Sequence, residues 1–346
     1  MARKTNRVLT TTEEEIKLIR EENIELMDEF LEYLEATDHS PRSINVYKNN
    51  LHIFFVYCQK HLKNKDFVDI KKRDIMSFQN YMVKNNLGAA RIKNIKSTLS
   101  SISNFIESVL EDEEPKWEGF RNIINKIPSP TADPVREKTI LEDEDCQRLL
   151  DYLVENKKYQ QACVFALAWA SGRRKSELLR IKRSYITDET LMFGSLYKSP
   201  EKISTKGRGK MGKMLHAYIL KSKFKKYYDL WMEERERLGV PDDIDDIFVS
   251  KKKDGWKPMK ISTLDSWSDS FGKFLGVDFY FHCMRHNFCT SLCKANIPPS
   301  VIKDIIGWSS ENMISVYNDT DISEEIGKYF SEDGIKEVQT GSLNNI

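Results

Sequence analysis

Apolar residues recur three and four positions apart through the first third of the chain. Ile24, Met27, Leu31 and Leu34 make one stripe, and Ile44, Tyr47, Leu51, Phe54 and Cys58 make a second. Ile75, Phe78 and Met82 make a third, and Ile92, Ile95, Leu99, Ile102, Ile106 and Val109 a fourth. That spacing places each set on one face of a helix. The second helix also carries a start signal, Ser40 as N-cap and Pro41 at its first position. Four stripes that cannot bury themselves singly predict one small helical domain, and no strand pattern interrupts it.

The pattern then breaks. Residues 111–138 hold prolines at 128, 130 and 134 and read as a linker. Periodicity resumes after Thr139 with Cys146, Leu149, Leu150 and Leu153. Tyr159–Gly172 is an uncharged run of 14 residues between Lys158 and Arg173, too short to span a bilayer and suited to a buried helix. Thr190–Phe193 reads as a short strand, followed by a hairpin of Lys202–Lys206 and Met211–Leu215 turned at Gly-Arg-Gly. Leu264, Trp267, Phe271 and Phe274 share a helical stripe, and helices are expected over His282–Lys294, Pro299–Ile306 and Ser310–Val316. The second domain is therefore expected to be mainly α with a small antiparallel sheet. The expected boundaries are an extension at 1–22, a helical domain at 23–112, a linker at 113–138, a second domain at 139–318 and a tail at 319–346.

Composition narrows the classes. A chain of 346 residues with 40% hydrophobic positions suits two folded domains and excludes disorder. The polar N-terminus has no apolar signal core, and six cysteines without paired spacing suggest reduced thiols and a cytoplasmic home with no membrane partner. Charge nearly cancels, 54 basic against 53 acidic residues, which argues against a uniformly cationic binder. Locally it does not cancel. Lys198 to Lys226 holds ten basic residues and a single acid, Glu201, whereas the chain after Asp319 is acidic. A basic block is either a solvated face or a surface for phosphates. Lys202, Arg208 and Lys210 in this block, with Arg91, Lys93 and Lys96 on the fourth helix, are the candidate phosphate contacts.

Three fragments could carry chemistry. In Gly172-Arg173-Arg174-Lys175-Ser176-Glu177, Arg174 and Glu177 stand three apart, as a surface ion pair, a helix-turn-helix corner, or an arginine aimed into a cleft by its carboxylate. In His282-Cys283-Met284-Arg285-His286, His282 and Arg285 are again three apart on a helix. A zinc reading of His282, His286, Cys289 and Cys293 fails, because about 16 Å of helix cannot converge on one ion. The third fragment is Ile306-Gly307-Trp308, followed by Tyr317.

In their order and spacing these fragments resemble the tyrosine recombinase (phage integrase) family, which includes the Xer recombinases, phage integrases, Cre and Flp. The family's Gly-x-Arg-x-x-Glu matches Gly172, Arg174 and Glu177, and its hairpin lysine matches Lys206, with Lys210 a neighbouring candidate. Its His-x-x-Arg-His matches His282, Arg285 and His286, and its Leu-Gly-His/Trp with a later Tyr matches Ile306, Gly307, Trp308 and Tyr317. Trp308 is a departure, since most members have His there; Cre and Flp are similar to this chain at that position. The resemblance implies a SAM-like core-binding domain followed by a catalytic domain of the DNA breaking-rejoining fold.

It also implies roles. Tyr317 would attack a phosphodiester, Arg174 and Arg285 would hold its non-bridging oxygens, Lys206 would protonate the leaving oxygen, and His282 would take the tyrosine proton. Trp308, with only an N–H to donate, could bind or pack but not act as acid or base. Glu177 and His286 would support these groups. Neither metal nor other cofactor is called for. The implied partners are duplex DNA sites and three further copies in a synaptic tetramer, in a bacterial cytoplasm at the nucleoid; an accessory or partner recombinase is compatible with this. A type IB topoisomerase, a telomere resolvase or a non-catalytic DNA-binding protein would share many of these residues. The first 22 residues are too few for an arm-binding domain, and a short helix over Ile322–Phe330 is expected to dock on a neighbouring protomer.

Overall fold

The computed structural model describes residues 9–131, 139–205, 207, 212–308, 310–314, 330–331 and 334–335. It divides into two compact units, residues 9–131 with 207 and 212, and residues 139–205 with 213–308, 310–314, 330–331 and 334–335. The first is helical: α1 (Glu13–Lys17), α2 (Glu21–Ala36), α3 (Pro41–His61), α4 (Lys72–Lys84) and α5 (Ala89–Phe105), the last running into a π-helical turn over Ile106–Leu110. The cap of α3 is as expected, with Ser40 accepting from the Ser43 amide. All four stripes meet in one core, joined by Phe30, Phe55 and Trp117. A buried Asn23 ties α2 to the loop after α3, donating to the Lys65 carbonyl and accepting from the Phe67 amide, both at 2.9 Å.

Lys96 departs from expectation. Its basic neighbours suggest a DNA contact, but it is buried, and its ammonium donates to Gln79 Oε1 at 2.9 Å and the Ile127 carbonyl at 2.7 Å. It ties the chain leaving the unit to α4 and α5, so it does not belong among the DNA contacts.

The second unit is built around α7 (Tyr159–Ser171), whose residues from Ala162 to Ser171 are all buried. It is flanked by α6 (Asp143–Glu155), the four-residue α8 (Lys175–Leu178) and α9 (Lys221–Arg237). Three short strands, β1 (Leu191–Met192), β2 (Leu196–Lys198) and β5 (Tyr218–Leu220), form an antiparallel sheet in the order β1-β2-β5. Between β2 and β5 the hairpin β3 (Ile203–Thr205) and β4 (Lys213–Leu215) projects, with Thr205 opposite Lys213. A second hairpin, β6 (Val249–Lys252) and β7 (Gly255–Pro258), leads into α10 (Ile261–Leu275). Then come α11 (Cys283–Lys294) and α12 (Pro299–Ile306), with a 3-10 turn over Glu311–Met313. In the tail, β8 (Phe330–Ser331) pairs with β9 (Gly334–Ile335). The helix expected over Ile322–Phe330 lies outside the described residues except for Phe330, which is in a strand.

Two lysines of the basic block have carboxylate partners. Lys223 pairs with Asp143 and lies over the Trp169 ring, and Lys225 pairs with Asp229. Among the described residues no helix is long and apolar enough to cross a membrane.

Lys96→Met tests the reassignment. The buried Ile127 carbonyl and the part-buried Gln79 amide oxygen would be left without their donor, so thermal unfolding should show a loss of about 1–3 kcal/mol. The salt dependence of DNA binding should stay as in the parent chain.

Candidate active site

The site begins where α7 ends. Gly172 caps the helix in the left-handed conformation, with φ +56°, and its amide donates to the Ala168 carbonyl. A Cβ there would stand 2.7 Å from Phe288 Cδ1, so glycine is required by both backbone and space. The chain then turns sharply. Arg173 points inward, and Arg174 becomes the extended residue before α8 rather than a member of that helix. Glu177 is buried in the first turn of α8. It accepts from the Arg174 amide at 3.2 Å and from Arg174 Nη1 at 2.9 Å. Of the three readings of this fragment, the structure favours the arginine held by its carboxylate: the Arg174 side chain is 28% exposed and that of Glu177 only 1%.

Arg285 arrives from α11 and is fully enclosed. Its Nη1 donates to the Gly172 carbonyl at 3.2 Å and its Nη2 to the Ile306 carbonyl at 3.0 Å. The Trp308 ring lies 5.5 Å from its guanidinium carbon, a cation–π contact. The two expected phosphate-holding arginines therefore differ: Arg174 is partly exposed, whereas Arg285 clamps the end of α7 to the end of α12. His282 is the residue before α11, not within it, and the His286 ring stands edge-on to it at 6.0 Å between centroids. Burial lowers the His282 pKa to about 4, with the charges of Arg285, His286 and Arg174 adding to the effect and Glu177 opposing it. Its imidazole is neutral at physiological pH and able to accept a proton.

Arg174, Glu177, His282, Arg285, His286 and Trp308 thus share one site. Tyr317, Lys206, Arg208 and Lys210 lie outside the described residues. Lys202 is exposed at the foot of the β3–β4 hairpin. In the first unit, Lys93 is exposed, while Arg91 is half-buried and donates to Asn94 Oδ1 at 2.8 Å. Among the described residues no group of three or more His, Cys, Asp or Glu side chains could hold a metal ion.

Two features escape a reading of the sequence. One is Arg173. The other is the β6–β7 hairpin, where Lys251, Lys252, Lys253 and Lys257 are exposed and Lys251 lies over the Trp256 ring at 5.7 Å. Asp254-Gly255 was its available signal, a common hairpin turn pair. This hairpin runs into α10, and Asp265 on α10 pairs with Lys175, the neighbour of Arg174. The lysines therefore belong to the same region as the site.

Comparison with known proteins places this geometry in a family. Residues 139–324 match the model for the phage integrase family, and residues 26–116 match that for the phage integrase N-terminal SAM-like domain. The SPbeta prophage-derived recombinase-like protein YomM of Bacillus subtilis is 28% identical, over 75% of this chain and 74% of its own length. A tyrosine recombinase of Thermosipho africanus is 22% identical, over 85% of this chain and 93% of its own. The crystal structure of the XerH site-specific recombinase in a post-cleavage complex with its palindromic difH substrate superposes with a TM-score of 0.67. That match has 17% identity and covers 93% of this chain and 98% of XerH.

The state of His282 can be read directly. In the DNA-free chain its ring NMR signals should titrate with a midpoint near 4, well below 6.5. The unfolded chain takes up a proton at His282 from about pH 6.5 downward while the folded chain does not, so this site makes folding less stable as pH falls from there toward 4. A midpoint near 6.5 would refute the desolvated, neutral imidazole.

Proposed function

The chain belongs to the phage integrase family and is a DNA strand-exchange enzyme of the tyrosine recombinase type; from that premise we propose which of its residues carry the reaction and what the reaction serves. Supporting the assignment is the gathering of Arg174, Glu177, His282, Arg285 and Trp308, from three separated stretches of sequence, around the end of α7.

The Tyr317 hydroxyl attacks the phosphorus of one DNA strand. A bond forms from the tyrosine oxygen to the 3′-phosphate, and the bond to the 5′-oxygen breaks. The tyrosine proton passes to the neutral His282, and Lys206 protonates the departing 5′-oxygen, a poor leaving group otherwise. Negative charge builds on the two non-bridging oxygens. Arg174 meets it first, held in place by Glu177, and Arg285 joins when DNA seats against the site. A preorganised donor of this kind lowers the barrier by about 3 kcal/mol, roughly a hundredfold in rate. Trp308 and His286 pack around these groups and hold their orientation. The phosphotyrosine keeps the bond energy, so a second 5′-hydroxyl can reverse the step without ATP.

Duplex recombination sites are the substrate, and four protomers assemble on two of them, with residues 319–346 docking on a neighbouring protomer. Similarity to a prophage-derived recombinase-like protein supports service to a mobile element. Lys202, Arg208 and Lys210, the β6–β7 lysines, and Arg91 and Lys93 on the first unit contact the DNA backbone.

A nicked suicide substrate should trap a protease-sensitive covalent adduct on the 3′-phosphate side. Tyr317→Phe should abolish it; an adduct surviving in that variant would remove Tyr317 as the nucleophile.

Replacing Lys251, Lys252 and Lys253 together by Glu should weaken DNA binding. It should also flatten the plot of log affinity against log salt by about two to three, near 0.9 for each phosphate that the protein no longer neutralises. An unchanged slope would mean that these lysines are simply solvated.

A further inference from the structure

Beside the half-buried Arg174 lies a second arginine, Arg173, at 1% exposure. Its Nη2 donates to two carbonyls far apart in sequence, that of His216 at 2.8 Å and that of Ile305 at 2.9 Å. His216 directly follows β4, and Ile305 lies in the last turn of α12. Three other contacts join the same two segments or hold the same helix end. Lys213 on β4 donates to the Trp308 carbonyl at 3.4 Å, and Arg285 holds the Ile306 carbonyl. Leu215 packs so closely on Gly307 that a Cβ there would come within 2.4 Å of its Cδ1. Carbonyls at a helix C-terminus lack intrahelical partners and carry the negative end of the dipole, so cationic donors suit them. Of these contacts, Arg173 is the one in which a single nitrogen bridges the β4 end and α12.

The cost of such a residue is informative. Among the described residues, Arg173 Nε and Nη1 find no hydrogen-bond acceptor. The nearby carboxylate, Glu177, is engaged by Arg174. An apolar side chain of similar volume would avoid burying this charge. Folding alone therefore gives a weak reason for arginine here.

We propose that Arg173 is a positioning residue for strand cleavage, fixing the β3–β4 hairpin that bears Lys206 against the segment leading from α12 to Tyr317. The inference rests on the roles given above to those two residues. Lys206 follows Thr205, the last residue of β3, and Tyr317 lies nine positions after Trp308. The acid and the nucleophile must stand on opposite sides of one phosphorus, in line with the breaking bond. A misplacement of about 1 Å between such groups is enough to lose about a hundredfold in rate. The Arg173 bridge crosses between the segments that carry them.

The test is single-turnover cleavage by the full chain and its Arg173→Met and Arg173→Lys variants, with DNA affinity and melting temperature measured alongside. Each is assayed on an ordinary suicide substrate and on one with a bridging 5′-sulfur, whose thiolate leaves without a proton. Arg173→Met should cleave the ordinary substrate 30- to 100-fold more slowly, with affinity within twofold of the parent. It should recover at least tenfold, relative to the parent, on the sulfur substrate, because placement of the acid no longer matters there. Arg173→Lys, whose ammonium can still donate to both carbonyls, should lie between. A parental rate in Arg173→Met, or equal losses on both substrates accompanied by a lower melting temperature, would overturn the proposal. If Arg173→Met does not fold, Arg173→Gln is read by the same criteria. Failure of the parent chain to form any adduct would instead refute the assignment of the reaction residues, which separates the two outcomes.

Discussion

The backbone reversal at Gly172 organises the second unit. A helix whose last ten residues are buried must end inside the protein, and its final carbonyls must find donors there. The left-handed glycine turns the chain within one residue, and Phe288 closes over the space where a side chain would stand. Because the turn is this tight, consecutive arginines face opposite ways: Arg173 enters the core and Arg174 remains at the surface. The carbonyl of Gly172 then accepts from Arg285, which brings α11 to the same point. Altering this turn would move both arginines and the helix that follows His282.

Positive charge gathered in a poorly hydrated space is the second constraint. Among the described residues, Arg173, Arg174 and Arg285 stand near two histidines and the carboxylate of Glu177. Such an arrangement would be unfavourable if every group carried charge. The protein reduces the cost by facing guanidinium groups with helix-end carbonyls and by holding His282 neutral through burial and like charge. What remains is a local excess of cationic donors. A phosphodiester passing through a more negative transition state is the kind of group such a site favours.

Charge counting along the sequence is a poor guide to which lysines face solvent. Lys96 belongs to a helix with basic neighbours, yet it serves as an internal donor because Gln79 and Ile127 supply acceptors at that point. Lys223 and Lys225 belong to the most basic stretch of the chain, yet each has a carboxylate partner. The lysines of the β6–β7 hairpin, Lys251-Lys252-Lys253 and Lys257, lie outside that most basic stretch, yet they are all exposed.

Helical stripes, the uncharged run that became α7, the Ser40-Pro41 start and the spaced Arg, His and Trp motifs were all legible in the sequence, because each depends on residues within a turn or two of one another. The same local logic identified Arg174 and Glu177 as a pair. It did not locate β2 or β5, since strands of three residues are held by partners elsewhere in the chain; β6 and β7 pair with each other, and Asp254-Gly255 was their local signal. Nor could it show that Arg173, next to Arg174, braces the interior. Their difference arises only when α7 is buried, Gly172 reverses the chain, and two carbonyls 43 and 132 residues away come within reach of one guanidinium. Local spacing determined which residues could do chemistry. Packing between distant segments decided which face solvent, which brace the fold, and which stay neutral, because burial and hydrogen-bond partners belong to the folded chain as a whole.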